Sequence, residues 1–222
     1  MKYDGDMDKR RYVQRARAAG TEETRRRIHA AAQASLERGP LGALRVDEVA
    51  RSAGVARSTV YLVFGSRAGL FSALAYHLRD EAGFRLLIEA FRQPDALAAM
   101  RDAQRASVDV YAARPDLARA LFTLAAIDPD AVEAVKALDD GRVPGMFGLA
   151  RRLAEGGYLR EGITIEEAAD LLTVVTSFQA FDQLFGLRGL PVEVVADRLV
   201  ALGERAICRP DLPAAPSPAP AT

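Results

Sequence analysis

Small and apolar residues near the start of the chain recur every three or four positions, the spacing of one face of an α-helix. Thr21 is a suitable N-cap, since its hydroxyl can accept a hydrogen bond from a first-turn amide. Gly39 and Pro40 then end the helix. The predicted inward stripe consists of Ile28, Ala31, Ala32, Ser35 and Leu36.

Two shorter helices are predicted next. The second places Val46, Val49, Ala50 and Ala53 on one face and is closed by Gly54. The third lies within the stretch GVARSTVYLVFGSR, residues 54–67, and ends at a glycine. Its apolar residues Val60 and Phe64 are four positions apart, so we expect both to face inward. Ser66 can cap the helix that follows.

The remainder of the chain also shows helical spacing, whereas strand patterns are scarce, so the predicted fold class is all-α. We expect a bend or break around residues 139–145, where Gly and Pro interrupt one helical segment. The residues after 209 are rich in Pro and Ala and predict a disordered tail. The expected helices after residue 80 begin near Asp95, Pro115 and Asp128, and the last two span about Ile165–Leu187 and Val192–Cys208.

Three short helices with a glycine at the second turn are typical of a helix-turn-helix. In the third helix, Arg57, Ser58, Thr59 and Tyr61 are left outside the inward face, toward its N-terminal half. That half of a recognition helix enters the DNA major groove. Eight residues span about 12 Å at ~1.5 Å per residue, close to the ~12 Å width of the groove. The pattern therefore predicts that this helix contacts DNA.

The formal net charge is zero, yet the charges are unevenly divided. Residues 1–67 carry 14 Lys and Arg against 8 Asp and Glu, and the remaining residues carry the opposite excess. A basic N-terminal part is consistent with a polyanionic partner, although chance clustering explains six charges equally well.

The stretches TRRRIHAAAQASLERG and VDEVARSAGVARSTVYLVFGSRAGLFSAL resemble the DNA-binding domain of TetR/AcrR-family transcriptional regulators. The resemblance covers about residues 21–75. It implies a helix-turn-helix domain, residues 21–67, followed by a helical ligand-binding and dimerisation domain, residues 68–209. It further implies a homodimeric regulator, most simply a repressor, that binds a palindromic operator and leaves it when a small molecule binds.

Carried onto this sequence, the resemblance implies DNA contacts by Arg57, Ser58, Thr59 and Tyr61, and a phosphate contact by Arg67. The chain departs from the family pattern at Val63, where an aromatic residue or histidine is common. It also departs at the cap of the second helix, where Arg45 replaces a hydroxyl residue; Arg45 cannot cap this helix, but it can reach a phosphate.

Residues 1–20 form a basic arm that we expect to be disordered, and two interpretations of it stay open. Its Lys and Arg residues can add salt-sensitive contacts to DNA, or they can form a solvated leader. The same question applies to the basic run Arg25, Arg26 and Arg27 of the first helix, for which we expect about one DNA contact.

The last two helices carry more apolar residues than a monomer core needs, which favours a homodimer formed through them; an ordinary core is the alternative. For the small, largely apolar ligand, a pocket between the middle helices would combine large apolar side chains with a few polar groups. The candidates are Phe84, Met100, Gln104, Tyr111, Phe122, Phe147, Phe178 and Gln179, and core packing is the alternative role for each.

No catalytic motif is present: HExxH, GxSxG, Walker and GxGxxG patterns are all missing, so we expect no enzyme activity, no metal and no cofactor. No run of apolar residues approaches the ~20 that span a membrane, and we expect a cytoplasmic protein. Cys208 is the only cysteine and predicts a buried thiol rather than a redox site. The alternative function is a helical small-molecule binding protein with vestigial DNA contacts.

Overall fold

The computed structural model describes the backbone at residues 4–38, 44–79 and 82–212, and the side chains from residue 19 onward except at 79, 82–84 and 139. The prediction of an all-α fold is confirmed for these residues. Their helices are α1 Asp4–Glu37, α2 Val46–Ser52, α3 Arg57–Phe64, α4 Arg67–Arg79, α5 Ala82–Arg92, α6 Ala96–Ala112, α7 Pro115–Ala125, α8 Pro129–Glu155, α9 Ile165–Val175, α10 Phe178–Leu184 and α11 Val192–Ile207.

The chain divides into two compact units. The first comprises residues 1–75 and 120–134, and the second comprises residues 76–119 and 135–222. In the first unit, α1, α2 and α3 pack on one another. The inward stripe predicted for α1 is confirmed at Ile28, Ala31, Ala32 and Leu36, which are buried.

In the second unit, α6 packs against α5, α10 and α11, and α9 packs against α10 and α11. Its core joins Met100 and Ala103 of α6 to Leu149 and Leu153 of α8 and Leu172 of α9. The backbones of α6 and α11 come close because Gly203 has no side chain: a Cβ atom there would lie 2.7 Å from the Gln104 amide nitrogen. The core thus holds the polar side chain of Gln104 beside Gly203 of α11.

Short-range capping rules explain several helix starts. The Asp95 carboxylate accepts a hydrogen bond from the Ala98 amide at 2.7 Å and caps α6. The Ser66 hydroxyl accepts one from Gly69 at 2.9 Å at the start of α4, as expected. Asp128 accepts one from the Asp130 amide at 3.1 Å where α8 begins.

Three expectations about helix boundaries are wrong. The first helix begins at Asp4, so Thr21 lies inside α1 and does not cap it. The predicted bend does not interrupt α8, which continues through Pro144 to Glu155. The helix predicted over about Ile165–Leu187 ends at Val175, because the hydroxyl of Ser177 caps a new helix by accepting a hydrogen bond from Ala180.

Among the described residues, pairing between extended segments is limited to one antiparallel bridge, between Leu159 and Cys208. No helix in this part of the chain is long and apolar enough to cross a bilayer.

Candidate nucleic-acid interface and internal cavity

Two glycines set the limits of α3. Gly54 in the turn after α2 has a φ of +64°, and Gly65 directly after α3 has a φ of +75°. These left-handed conformations favour glycine, since a Cβ atom would clash with the backbone. Val55 donates its amide hydrogen to the Ala50 carbonyl at 3.0 Å, which ties the turn back to α2. The glycines thus permit a helix of eight residues to stand directly beside α2.

The side chains of α3 are sorted by its rotation of about 100° per residue. Val60 is buried and defines the inward direction, and Phe64 is half-buried on nearly the same side. Ser58 and Leu62 are exposed on the opposite side. Two flanks connect the inward and outward faces of α3. Arg57 and Tyr61 lie on one flank, and Thr59 and Val63 lie on the other.

Arg57 belongs to a small surface cluster. Its Nη1 atom donates to both carboxylate oxygens of Asp47, each at 3.0 Å, and its Nη2 atom donates to the Tyr61 hydroxyl at 3.2 Å. The guanidinium carbon lies 5.6 Å from the centre of the Tyr61 ring. The Tyr61 hydrogen bond and then the Asp47 charge raise the pKa of Arg57. The cluster therefore presents a fixed positive group and a phenol on an exposed helix face.

Ser58 is exposed and Thr59 is half-buried, so both hydroxyls stand at the N-terminal end of α3 as the sequence predicts. Arg45 is also exposed and forms a 3.8 Å ion pair with Glu48. It supplies no side-chain cap to α2, in agreement with its chemistry. These three residues remain predicted DNA contacts.

Leu62 is a surface residue that the sequence interpretation missed. Its side chain is 85 % exposed on the outward side of α3. The signal that identifies it is its spacing of four residues from Ser58, which places both on one line along the helix.

The structure corrects the role expected for Arg67. Its Nε atom donates to the Leu44 carbonyl at 2.9 Å, and its Nη1 atom donates to carboxylate oxygens of Asp128 and Asp130, each at 2.9 Å. A further hydrogen bond joins Nη2 to Asp128, and the guanidinium stacks 4.9 Å from the Phe71 ring centre. With its side chain only 26 % exposed, this arginine is a structural link inside the first unit rather than an open phosphate contact.

The basic run of α1 is used differently from residue to residue. Arg25 lies over the Phe64 ring at 5.0 Å and donates to the Val63 carbonyl at 3.5 Å, so it supports the end of α3. Arg26 pairs with Glu23. Arg27 is exposed beside the Gly54 turn and remains a candidate for DNA contact. The basic side chains before residue 19 lie outside the described part of the structure.

Residues 28–74 match the family model of bacterial regulatory proteins of the tetR family. This range contains α2 and α3 and the glycines between and after them. This segment is therefore similar to the DNA-binding region of tetR-family regulators.

Solved structures of several bacterial regulatory proteins are similar to this chain in fold. NalD of Pseudomonas aeruginosa, the secondary repressor of the MexAB-OprM multidrug efflux pump, is 22 % identical, with a TM-score of 0.69 over 86 % of this chain and 99 % of NalD. A tetR-family regulatory protein from Rhodococcus RHA1 is 19 % identical, with a TM-score of 0.66 over 84 % and 98 %. FadR of Bacillus subtilis, solved with stearoyl-CoA, is 15 % identical, with a TM-score of 0.66 over 82 % and 98 %. No curated protein sequence matches the chain.

The second unit contains a partly open cavity of about 260 Å³. Its wall is mainly apolar, and the side chain of Arg142 adds a positive charge. The Arg142 side chain is held from outside the cavity, since Nη1 donates to the Thr173 carbonyl and, at 3.1 Å, to the Thr176 hydroxyl. The lining residues include Leu87, Phe91, Val110, Tyr111, Arg142 and Met146.

Of the ligand-contact candidates taken from the sequence, Tyr111 lines this cavity. Met100 and Gln104 are instead buried in the core of the second unit, and Phe178 packs edge-on against Tyr111 with ring centres 5.5 Å apart. For these three residues, the alternative of core packing applies.

The other candidates are spread over the molecule. Phe147 and Gln179 are exposed, and Phe122 lies in the first unit rather than in the second. The side chain of Phe84 is outside the described residues. Sequence spacing predicts the helices, but it does not predict which face of each helix is turned toward the cavity. The sequence analysis therefore missed Phe91 and the leucines that line it.

In the described part of the chain, no group of three or more His, Cys, Asp or Glu side chains could hold a metal ion. Cys208 is buried, and burial followed by the charge of Glu204 raises the pKa of its thiol to about 11. A thiol with so high a pKa is a poor nucleophile at neutral pH.

Proposed function

We propose that this protein is a ligand-responsive repressor of the TetR family, which binds a palindromic operator as a homodimer and is released by a small molecule. The observation that carries the proposal is the outward surface of α3. A short helix, fixed at both ends by glycines, presents a guanidinium, a phenol and two hydroxyls away from the core.

These groups suit a major-groove surface. Arginine donates two parallel hydrogen bonds to guanine or binds phosphate, and hydroxyls bind either phosphates or base edges. Asp47 does not prevent this role. Arg57 is exposed and its ion pair with Asp47 is also at the surface, where water and salt screen such pairs and make them weak.

The homodimer is supported by exposed apolar side chains in the last third of the chain: Val174, Leu187 and Leu202. Much of the apolar surplus that the sequence indicated is used within the protomer, since Leu172, Phe181 and Leu199 are buried. The three exposed residues support a dimer surface in this part of the chain. Two α3 helices in one dimer would match two operator half-sites about one DNA turn, or a multiple of it, apart.

The cavity supports control by a small molecule. Its volume and mainly apolar wall suit a small apolar compound, with Arg142 and Tyr111 as orienting polar groups. Proteins of similar fold include one that is named a repressor, NalD, and one transcriptional regulator that was solved with a bound small molecule, FadR with stearoyl-CoA. The ligand must bind the released conformation more tightly than the DNA-bound one, and a tenfold preference supplies about 1.4 kcal/mol per site.

The DNA-binding part is tested by gel shift on the DNA that flanks the gene of this protein. We expect specific binding that weakens as salt rises, because phosphate contacts release counterions. The double variant Arg57→Ala, Tyr61→Ala should lose this binding. The control Tyr76→Ala, Arg188→Ala removes the same residue types from exposed positions of the second unit and should bind as the wild type does.

Sedimentation and circular dichroism must show that both double variants keep the wild-type mass and helix content. A folded wild type that binds no DNA specifically, including fragments selected from its genome, would favour a small-molecule binding protein with vestigial DNA contacts.

The ligand part is tested with 1-naphthol as an apolar probe. Binding measured by its fluorescence should be lost in Val110→Phe, where the larger ring fills the cavity. DNA binding by this variant should persist. Equal 1-naphthol binding by both proteins would place the apolar site elsewhere.

A further inference from the structure

Leu62 has the most exposed large apolar side chain among the residues that the structure describes. It stands opposite the buried Val60, so no rotation about its own side-chain bonds can bring it into the core of the first unit. Its neighbours on the surface of α3 are the polar side chains of Ser58, Thr59 and Tyr61. A leucine at the outermost line of this helix therefore needs an apolar partner outside the protomer to be buried.

The DNA major groove offers one such partner. The base edges present hydrogen-bond donors and acceptors to the groove, and the apolar group among them is the C5-methyl of thymine. A leucine side chain has no hydrogen-bonding atoms, so it cannot read the polar edges, but it can exclude water from a methyl group. Ser58 lies one helical turn before Leu62 on the same line, which would bring both residues to base edges together.

We propose that Leu62 contacts the C5-methyl group of a thymine in each operator half-site and makes this protein selective for that methyl. The proposal rests on the DNA-binding function proposed above and specifies one position of its operator. Arg57, Ser58 and Thr59 would supply the hydrogen bonds to neighbouring positions, while Leu62 would read a position by shape and apolarity alone.

The test replaces each thymine of a selected operator by uracil, one at a time. This exchange removes one methyl group and leaves every hydrogen-bonding atom of the base in place. We expect one position per half-site at which uracil weakens binding about fourfold, the effect of burying one methyl-sized group. Replacing that thymine in both half-sites should weaken binding by about 15-fold.

The protein side of the test uses Leu62→Ala. The variant should bind the thymine and uracil operators with equal affinity, because the side chain that meets the methyl is gone. The matched control is Leu86→Ala, which shortens an exposed leucine of the second unit outside the proposed dimer surface and should keep the wild-type thymine-to-uracil ratio. Both variants should unfold at wild-type temperatures, since neither position is buried.

The outcomes separate this inference from the function on which it rests. Specific operator binding by the wild type without any uracil effect would overturn the role of Leu62 and leave the repressor proposal intact. An unchanged thymine-to-uracil ratio in Leu62→Ala would overturn it as well. If the folded wild type binds no DNA specifically, both proposals fail.

Discussion

Arg57 and Arg67 lie in the same domain and have the same chemistry, yet their surroundings give them different roles. Arg57 is exposed and bonded to one carboxylate and one phenol at the surface of α3. Arg67 is enclosed by a carbonyl, two carboxylates and an aromatic ring. An arginine whose donors are already bound inside the protein stabilises the fold, whereas one held at the edge of a helix is available to a ligand.

The strongest test of this comparison is Arg67→Ala. Its removal leaves Asp128 and Asp130 without their cation in a partly buried place, and we expect the free energy of unfolding to fall by about 2 kcal/mol. This loss lies between the values typical of breaking an exposed and a buried ion pair. Arg57→Ala should leave it nearly unchanged, because its ion pair is exposed to water. Urea unfolding monitored by circular dichroism measures both, and equal losses would contradict the division of roles.

Acid pH should weaken the ion pair between Arg67 and Asp128. The hydrogen bond from Arg67 holds the pKa of Asp128 below its ordinary value, despite the opposing effect of burial. The folded protein thus binds this proton less well than the unfolded chain, whose aspartates titrate near ~3.9. The stabilisation is complete above that pH and is lost as pH falls through the lower folded pKa.

We therefore expect the wild type to lose more stability than Asp128→Asn between pH 5 and pH 2, measured by urea unfolding at each pH. Parallel curves for the two proteins would show that the Arg67 link does not stabilise the charged carboxylate.

The role of Arg57 is sharpened by the salt dependence of operator binding. If its guanidinium meets a phosphate, Arg57→Ala should reduce the slope of log affinity against log salt by about 1 per half-site. Leu62→Ala removes no charge and should keep the slope. A weaker Arg57→Ala complex with an unchanged slope would assign this arginine to a base edge instead.

The smallest effect is expected from Asp47→Asn. This change removes a negative charge beside the Arg57 guanidinium, and we expect operator affinity to rise a few-fold at low salt, with stability close to that of the wild type. Filter binding at two salt concentrations measures it. Weaker binding would show that Asp47 aligns Arg57 for DNA rather than competing for it.

Local rules predicted much of the fold. Gly54 and Gly65 end helices with positive φ, and Ser66, Asp95 and Asp128 cap helices, as their chemistry requires. These features depend on residues within one helical turn, so a sequence displays them directly. The spacing of apolar residues likewise predicted the inward face of α1 and the exposed N-terminal end of α3.

The remaining features depend on partners distant in sequence. Arg67 meets Asp128 only after the chain has folded, and a basic residue at the start of α4 has the same local pattern whether it faces DNA or a carboxylate. Gln104 is buried because Gly203 leaves room for it, a fit that spacing cannot show. The cavity wall likewise results from how several helices are rotated together, so Tyr111 was anticipated and Phe91 was not.

Pro144 gives α8 a built-in weak point beside the cavity. It has no amide hydrogen, so it cannot make the usual main-chain bond to Asp140, and Gly141 and Gly145 on either side line the cavity. Opening this turn breaks fewer main-chain bonds than opening any neighbouring one. The cavity wall can therefore deform at this turn while the rest of α8 keeps its main-chain hydrogen bonds.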